Sequence, residues 1–520
     1  MMNRSARLWV LCASACLAAS PAMARDPSRS PLHGTLAHGA YDVGFTRLQM
    51  ADATRPSLPK RAESGAADAD RSRKLDVHVW YPARRGSAIG PMTFADVMVA
   101  HLAGRPAADL ARHEADLRGF MARFGPVSDD AWGRLKQTPL LARKDAPAAD
   151  GRFPLIIGSL RPLSTTVTSE YLASHGYVVA MVAGADTPEA ADPGAGLDVD
   201  FRDMEFAIPE LRKRPEVDGA ALGALGFSGS GFSQVLLAMR HPDVDAVCDL
   251  ESAIFDDRVM YPLSRGWGYD TAALRVPFLH TYSVPLSKLE NRIGDFEAMR
   301  YSTRYRYLVD APGIHHWDFA TEGMAASAVL GVRGPGGPRL QQAFEMTNRY
   351  VLQFFNAYVK HDPEAVAFLR RDPQANGAPD GLVTVREYAA VQPAPTLEAV
   401  EAIVRARGID AAVREIDAAR AVDPLAAVFR EPSLNRLGYR LLRGQKTAES
   451  IVIFRKVVDL FPGSANAYDS LSEALEAAGE RAQSVEVARK GLEVLSNQDL
   501  TPQRKREMAD LLEARLKRLR

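Results

Sequence analysis

The chain of 520 residues is poor in cysteine, with three in all. Two of them, Cys12 and Cys16, fall in a stretch that reads as a cleaved leader. That leaves Cys248 alone, so no disulfide is expected within the mature chain. There is no surplus of either charge: Lys plus Arg and Asp plus Glu number 64 each. A chain without a basic excess has no general hold on a polyanion, which argues against nucleic acid as a partner. After the leader no run of about 18 apolar residues appears, so no transmembrane helix is expected. No cluster of His, Cys, Asp and Glu has ligand spacing, so no metal or other cofactor is implied. What remains is ordinary for a globular protein, with 47% hydrophobic and 25% charged residues. The length allows two or three domains and a sizeable core.

Residues 1–24 have the form of a secretory signal. Arg4 and Arg7 make a basic start, and Leu8 to Ala19 is an apolar run too short to span a bilayer. Ala22-Met23-Ala24 is an A-x-A site, so cleavage is expected after Ala24. The expected location is periplasmic or secreted.

Two textures follow, and they divide the chain at 25–392 and 393–520. In the first part Tyr41 to Met50 and Lys74 to Tyr81 alternate apolar and polar residues, as half-buried strands do. Ala51 to Arg73 between them reads as a long loop. Residues 86–150 carry helical patterns, Phe94 to Leu102 and Asp109 to Phe124, and are too long for a simple connection. They read either as an insertion over a site or as a solvated decoration. From Phe153 strand and helix alternate, through strands at Phe153 to Leu160, Tyr177 to Val182, Ala220 to Phe227, Val244 to Leu250, Val276 to Tyr282 and Tyr305 to Asp310. That alternation predicts an α/β domain, a mostly parallel sheet with helices on both faces. A long helical segment, Gln341 to Leu369, closes it. After Pro393 strand signals vanish. Leu434 to Phe461 and Ala467 to Leu495 each read as a helical hairpin, and Ala448 and Ala482 lie 34 residues apart. That is the tetratricopeptide period, so an all-α repeat domain is expected, leaning on the helical stretch Leu397 to Val428 or on the sheet domain.

The chemistry gathers at Ala221 to Gln234, A-L-G-A-L-G-F-S-G-S-G-F-S-Q. A short buried strand, a tight turn with Ser228 at its apex and a helix form the context of a nucleophile elbow. Gly226 precedes the serine by two, as the motif asks, but Ser230 stands where a glycine is usual. A serine needs a base to take its proton. The base should come late, after the last strand, where Gly313-Ile314-His315-His316-Trp317-Asp318-Phe319 lies. Only one of the adjacent histidines can face Ser228. For the acid, Asp249, Glu251 and Asp295 compete. Glu251 is favoured because it stands later on its strand, nearer the carboxyl edge where sites form, and beside the elbow strand. One oxyanion donor would be the N–H of Gly229. The other would be Arg161 or Leu163, since Pro162 between them has none to give.

Tyr41-Asp42-Val43-Gly44, Val79-Trp80-Tyr81-Pro82-Ala83 and Phe153-Pro154-Leu155-Ile156-Ile157 together resemble the opening of one α/β-hydrolase branch. It is the branch of dienelactone hydrolase and the platelet-activating-factor acetylhydrolase-like enzymes. Tyr171-Leu172-Ala173-Ser174-His175-Gly176-Tyr177-Val178-Val179-Ala180 resembles its helix-to-strand passage. The resemblance covers about residues 40 to 370. It implies an eight-stranded α/β-hydrolase sheet, a serine nucleophile, hydrolysis of carboxylic esters and a small-molecule ester as substrate. His-x-Asp-Phe is a common run of the histidine loop in these folds, which makes His316 the expected base. The acetylhydrolase-like members take their acid after the strand that follows the elbow, which supports Glu251. Two departures stand out: Leu160-Arg161 replaces the usual His-Gly, and Ser230 replaces glycine.

Two readings follow. One is a secreted serine esterase with a helical-repeat appendage. The other is a lapsed hydrolase whose sheet is a scaffold and whose repeats bind a protein or peptide. Retention of Ser228, His316 and Glu251 favours the first, and the missing His-Gly with Pro162 favours the second.

Overall fold

The computed structural model describes residues 30–56, 72–102, 106–159, 163–184, 193–252, 273–289, 299–424 and 426–519. The leader and Asp295 lie outside these residues, as do Leu160, Arg161 and Pro162.

Among the described residues ten strands form one sheet. They are β1 (Asp42–Pro56), β2 (Ser72–Ala83), β3 (Ala142–Lys144), β4 (Phe153–Ser159), β5 (Val178–Gly184), β6 (Val217–Phe227), β7 (Ala246–Leu250), β8 (Phe278–Ser283), β9 (Arg304–Val309) and β10 (Val383–Tyr388). The order across the sheet is β10-β9-β8-β7-β6-β4-β5-β2-β1-β3. From β5 to β9 the ladders are parallel, and β2 runs antiparallel to both β1 and β5. This is the α/β-hydrolase sheet, lengthened at one edge by β3, parallel to β1, and at the other by β10, antiparallel to β9. The expected eight strands are present, and the two edge strands come from short segments whose alternation is too brief to register as a period. The supposed loop from Ala51 to Arg73 is partly strand, since β1 runs to Pro56 and β2 begins at Ser72.

Side chains of a strand alternate between faces, and the core is divided that way. Ile156, Val179, Met181, Leu225 and Phe227 belong to one apolar cluster, while Leu155, Ile157, Val178, Ala180, Leu222 and Ala224 belong to another. Burying each Val, Leu or Ile contributes about 1.5–3 kcal/mol. The strands are therefore fixed by their flanks, and the loops at their carboxyl ends inherit fixed starting points. The first face is covered by α4 (Thr166–Ser174), α8 (Thr321–Ala328) and α9 (Gly337–Tyr358). The second is covered by α5 (Pro193–Leu211) and α6 (Ser230–Arg240).

The long helical segment from Gln341 to Leu369 is divided between two helices, α9 and α10 (Pro363–Arg370). His361 takes a left-handed φ of 57° in the turn between them, and Asp362 caps α10 by accepting from Glu364 N at 2.9 Å. Pro363 cannot continue a helix but suits its first turn.

The inserted region carries α1 (Phe94–Met98), α2 (Ala107–Met121) and α3 (Asp129–Gln137). Short α7 (Val284–Leu289) follows β8. The C-terminal region is all helix: α11 (Leu397–Arg407), α12 (Ile409–Val422), α13 (Glu431–Arg443), α14 (Thr447–Leu460), α15 (Ala465–Ala477), α16 (Arg481–Asn497) and α17 (Pro502–Leu519). Its contacts repeat at 34 residues. Ser450 Oγ donates to Gly438 O at 2.9 Å, and Ser484 Oγ donates to Ser472 O at 2.8 Å. The stretch before Leu434 is itself a hairpin, α11 and α12, packed on α13 and α14 through Val400, Ile416, Leu437 and Val457. Fully buried Asp423, at the end of α12, ties this region to the sheet domain. It accepts from Arg300 Nε at 2.6 Å and from Tyr301 Oη at 2.5 Å.

Candidate active site

The elbow is strained as its chemistry would require. Ser228, one residue past β6, has φ of 57°, a left-handed value that L residues adopt at a cost of order 1–3 kcal/mol. Neighbours hold it there. Its N–H donates to Leu250 O on β7 at 2.9 Å, its carbonyl accepts from Gly231 N at 3.0 Å, and Ser252 Oγ also donates to that carbonyl. Two glycines make room. A Cβ on Gly226 would lie 2.7 Å from Gly231 Cα, and one on Gly231 would lie 2.1 Å from Ser252 Oγ and 2.3 Å from Asp249 Oδ1. The second glycine that the motif lacked at position 230 is thus supplied at 231, where close approach demands it. Ser230 is buried, and its hydroxyl accepts from Phe227 N at 2.9 Å and donates to Phe227 O at 2.8 Å.

The histidine loop follows β9. His316 Nε2 lies 2.8 Å from Ser228 Oγ, the geometry for the hydroxyl to donate to the ring. The imidazole stacks on the buried ring of Phe227, centroids 4.8 Å apart and planes 23° apart, with Trp317 edge-on at 5.4 Å. Burial, and then the neighbouring His315, lower the His316 pKa to about 4. It is therefore neutral at pH 7 and free to accept a proton. His315 is turned elsewhere. Its N–H donates to Asp318 Oδ2 at 2.9 Å and its Nδ1 lies 3.3 Å from the same oxygen. Arg333 Nη2 closes on Asp318 Oδ2 at 2.7 Å. The same arginine lies over Phe124, whose ring meets His315. Phe120 of α2 meets Trp317 edge-on, centroids 4.7 Å apart. The insertion therefore packs on the histidine loop.

The acid differs from expectation. Glu251, one residue past β7, has φ of 50° and donates its N–H to Thr281 O at 2.8 Å. Its carboxylate reaches the end of β8, accepting from Ser283 N at 2.6 Å and from Ser283 Oγ at 2.5 Å. β8 and the elbow strand flank β7 on opposite sides. Among the described residues no hydrogen bond joins Glu251 to His316, so the expected contact of about 3 Å with the ring is not made. The cause is local: donors at the end of β8 lie within reach of the longer glutamate side chain. Asp249 is fully buried and pairs with His280 Nδ1 at 2.6 Å. Asp295 lies outside the described residues.

Gly229 caps the N-terminus of α6, with open space where a Cβ would stand. Leu163 is buried, and its carbonyl accepts from Thr166 N at 3.2 Å at the start of α4. Sequence reasoning missed Ser252, Ser283, Arg333 and the aromatic packing of Phe120, Phe124 and Phe227. None of these had left a sign in the sequence, whereas Gly231 had, as a third small residue after the serine. No group of His, Cys, Asp or Glu is placed to hold a metal among the described residues, and no helix there is long and apolar enough to cross a membrane.

No family model matches the chain, and no curated protein matches it significantly. Among solved structures it is similar to a ferulic acid esterase from Streptomyces cinnamoneus, at 21% identity and a TM-score of 0.47, over 67% of this chain and 98% of that one.

Proposed function

We propose that this chain is a serine hydrolase that cleaves carboxylic esters. The observation that carries this reading is Ser228 Oγ, on a left-handed elbow, 2.8 Å from His316 Nε2. His316 takes the hydroxyl proton as the oxygen attacks the ester carbonyl, and then gives it to the departing alkoxide. Water repeats the cycle on the acyl-enzyme. The oxyanion of the tetrahedral intermediate is received by the Gly229 N–H, with the positive end of the α6 dipole behind it. Leu163 is the second donor in this reading. Glu251 is the acid of this reading; its carboxylate is held by Ser283, so it acts on the imidazolium without a hydrogen bond to the ring, from its buried place between the strand of the nucleophile and the strand of the base.

The C-terminal hairpins are read as tetratricopeptide-like, supported by the paired serine contacts 34 residues apart. They serve a protein or peptide partner rather than the chemistry. The leader sequence supports a periplasmic or secreted location.

Hydrolysis of a nitrophenyl ester by the full chain tests the activity. Ser228→Ala and His316→Ala should each reduce turnover by several orders of magnitude, with the fold intact by circular dichroism. Turnover unchanged in either variant would defeat the reading.

A further inference from the structure

Ser230 occupies a place where small size alone would suffice, yet its hydroxyl is fully engaged. In a parallel strand alternate residues address opposite neighbours. Ser228 N addresses β7, so Phe227 addresses the β4 side. The β4 ladder on that side ends at the pair Ile157 and Ala224. Phe227 therefore has a buried N–H and carbonyl beyond the last rung, and Ser230 Oγ satisfies both, at 2.9 and 2.8 Å. A glycine or alanine there would leave both groups without that partner, and buried backbone groups are rarely left so.

The consequence passes to the base through one ring. Phe227 is 1% exposed and stacks on His316. The His316 Nε2 to Ser228 Oγ distance thus depends on a ring whose backbone the Ser230 hydroxyl clamps. We propose that Ser230 is a positioning residue, holding Phe227 and, through its ring, the imidazole of His316 against the nucleophile. This rests on the reading that Ser228 and His316 do the chemistry. It also turns the departure from the glycine motif into a functional feature of this chain.

The test compares the full chain with Ser230→Ala, Phe227→Leu and the double variant, on a nitrophenyl ester and by NMR of labelled histidine. The His316 resonance is assigned by its loss in His316→Gln. Ser230→Ala should lower kcat about tenfold with KM within about twofold, since small misplacements of a reacting group are costly in rate. Phe227→Leu should do the same, and the double variant should be no worse than the worse single one. The His316 ring protons, shifted by the stacked phenyl ring, should move in Ser230→Ala toward their position in Phe227→Leu. A Ser230→Ala enzyme with the parent kcat and an unmoved His316 signal would overturn the inference. So would losses that multiply in the double variant. If no protein in the set, the parent included, hydrolyses ester, the catalytic reading fails and the NMR signal alone decides whether Ser230 holds the ring.

Discussion

His316 is kept neutral by its surroundings, and this fixes how activity should depend on pH. Burial is the larger cause of its lowered pKa of about 4, and His315 the smaller. A general base works deprotonated, so kcat/KM, which reports the free enzyme, should rise with half-maximum near pH 4 and stay level through neutrality. A half-maximum at pH 6 or above would show that a carboxylate engages the ring in the working enzyme. Glu251 addresses the same question from the other side. Its oxygens are occupied by Ser283, so Glu251→Gln should cost about tenfold to hundredfold in kcat. That is well short of the ~10⁴ lost when a directly bonded triad acid becomes an amide. A loss as large as 10⁴ would mean that the side chain swings onto His316 during turnover. A strand, a turn and a late loop led from Ser228 to the His315-His316 pair by topology, and the resemblance of the His-x-Asp-Phe run to the hydrolase loop then singled out His316. The partner of Glu251 could not be read from the chain, since it depends on which donors a flexible side chain meets at the next strand end.

The elbow works as a unit with its neighbouring strand. β7 supplies Leu250 O to Ser228 N, and just beyond it Ser252 reaches the Ser228 carbonyl. Gly231 lies against Ser252 and Asp249 so closely that Gly231→Ala must displace both side-chain oxygens. Overpacking of this kind costs about 1–3 kcal/mol. A lower melting temperature with reduced turnover is expected, and a fully active variant of unchanged stability would contradict this account of the elbow. The strands around it were evident from their apolar runs. The edge strands β3 and β10 were not, because three to six residues on a sheet edge carry little pattern. The break between α9 and α10 was signalled by Pro363, which outweighs the surrounding helical periodicity.

At the level of the whole molecule, the sheet domain carries the candidate chemistry and the helical region is fastened to it through Asp423. A chain ending at Gln392 should still hydrolyse a small activated ester. It should melt at a lower temperature, because Arg300 and Tyr301 lose Asp423 and the buried face around it. A truncated protein that is folded by circular dichroism yet inactive would instead give the helices a part in catalysis. The central claim, that Ser228 is an activated nucleophile, is tested most directly with a fluorophosphonate probe on the full chain, the adduct being located by peptide mass spectrometry. The account predicts one phosphonylated residue, Ser228, with the adduct lost in His316→Ala. An adduct on Ser230, or none on a folded chain, would contradict it.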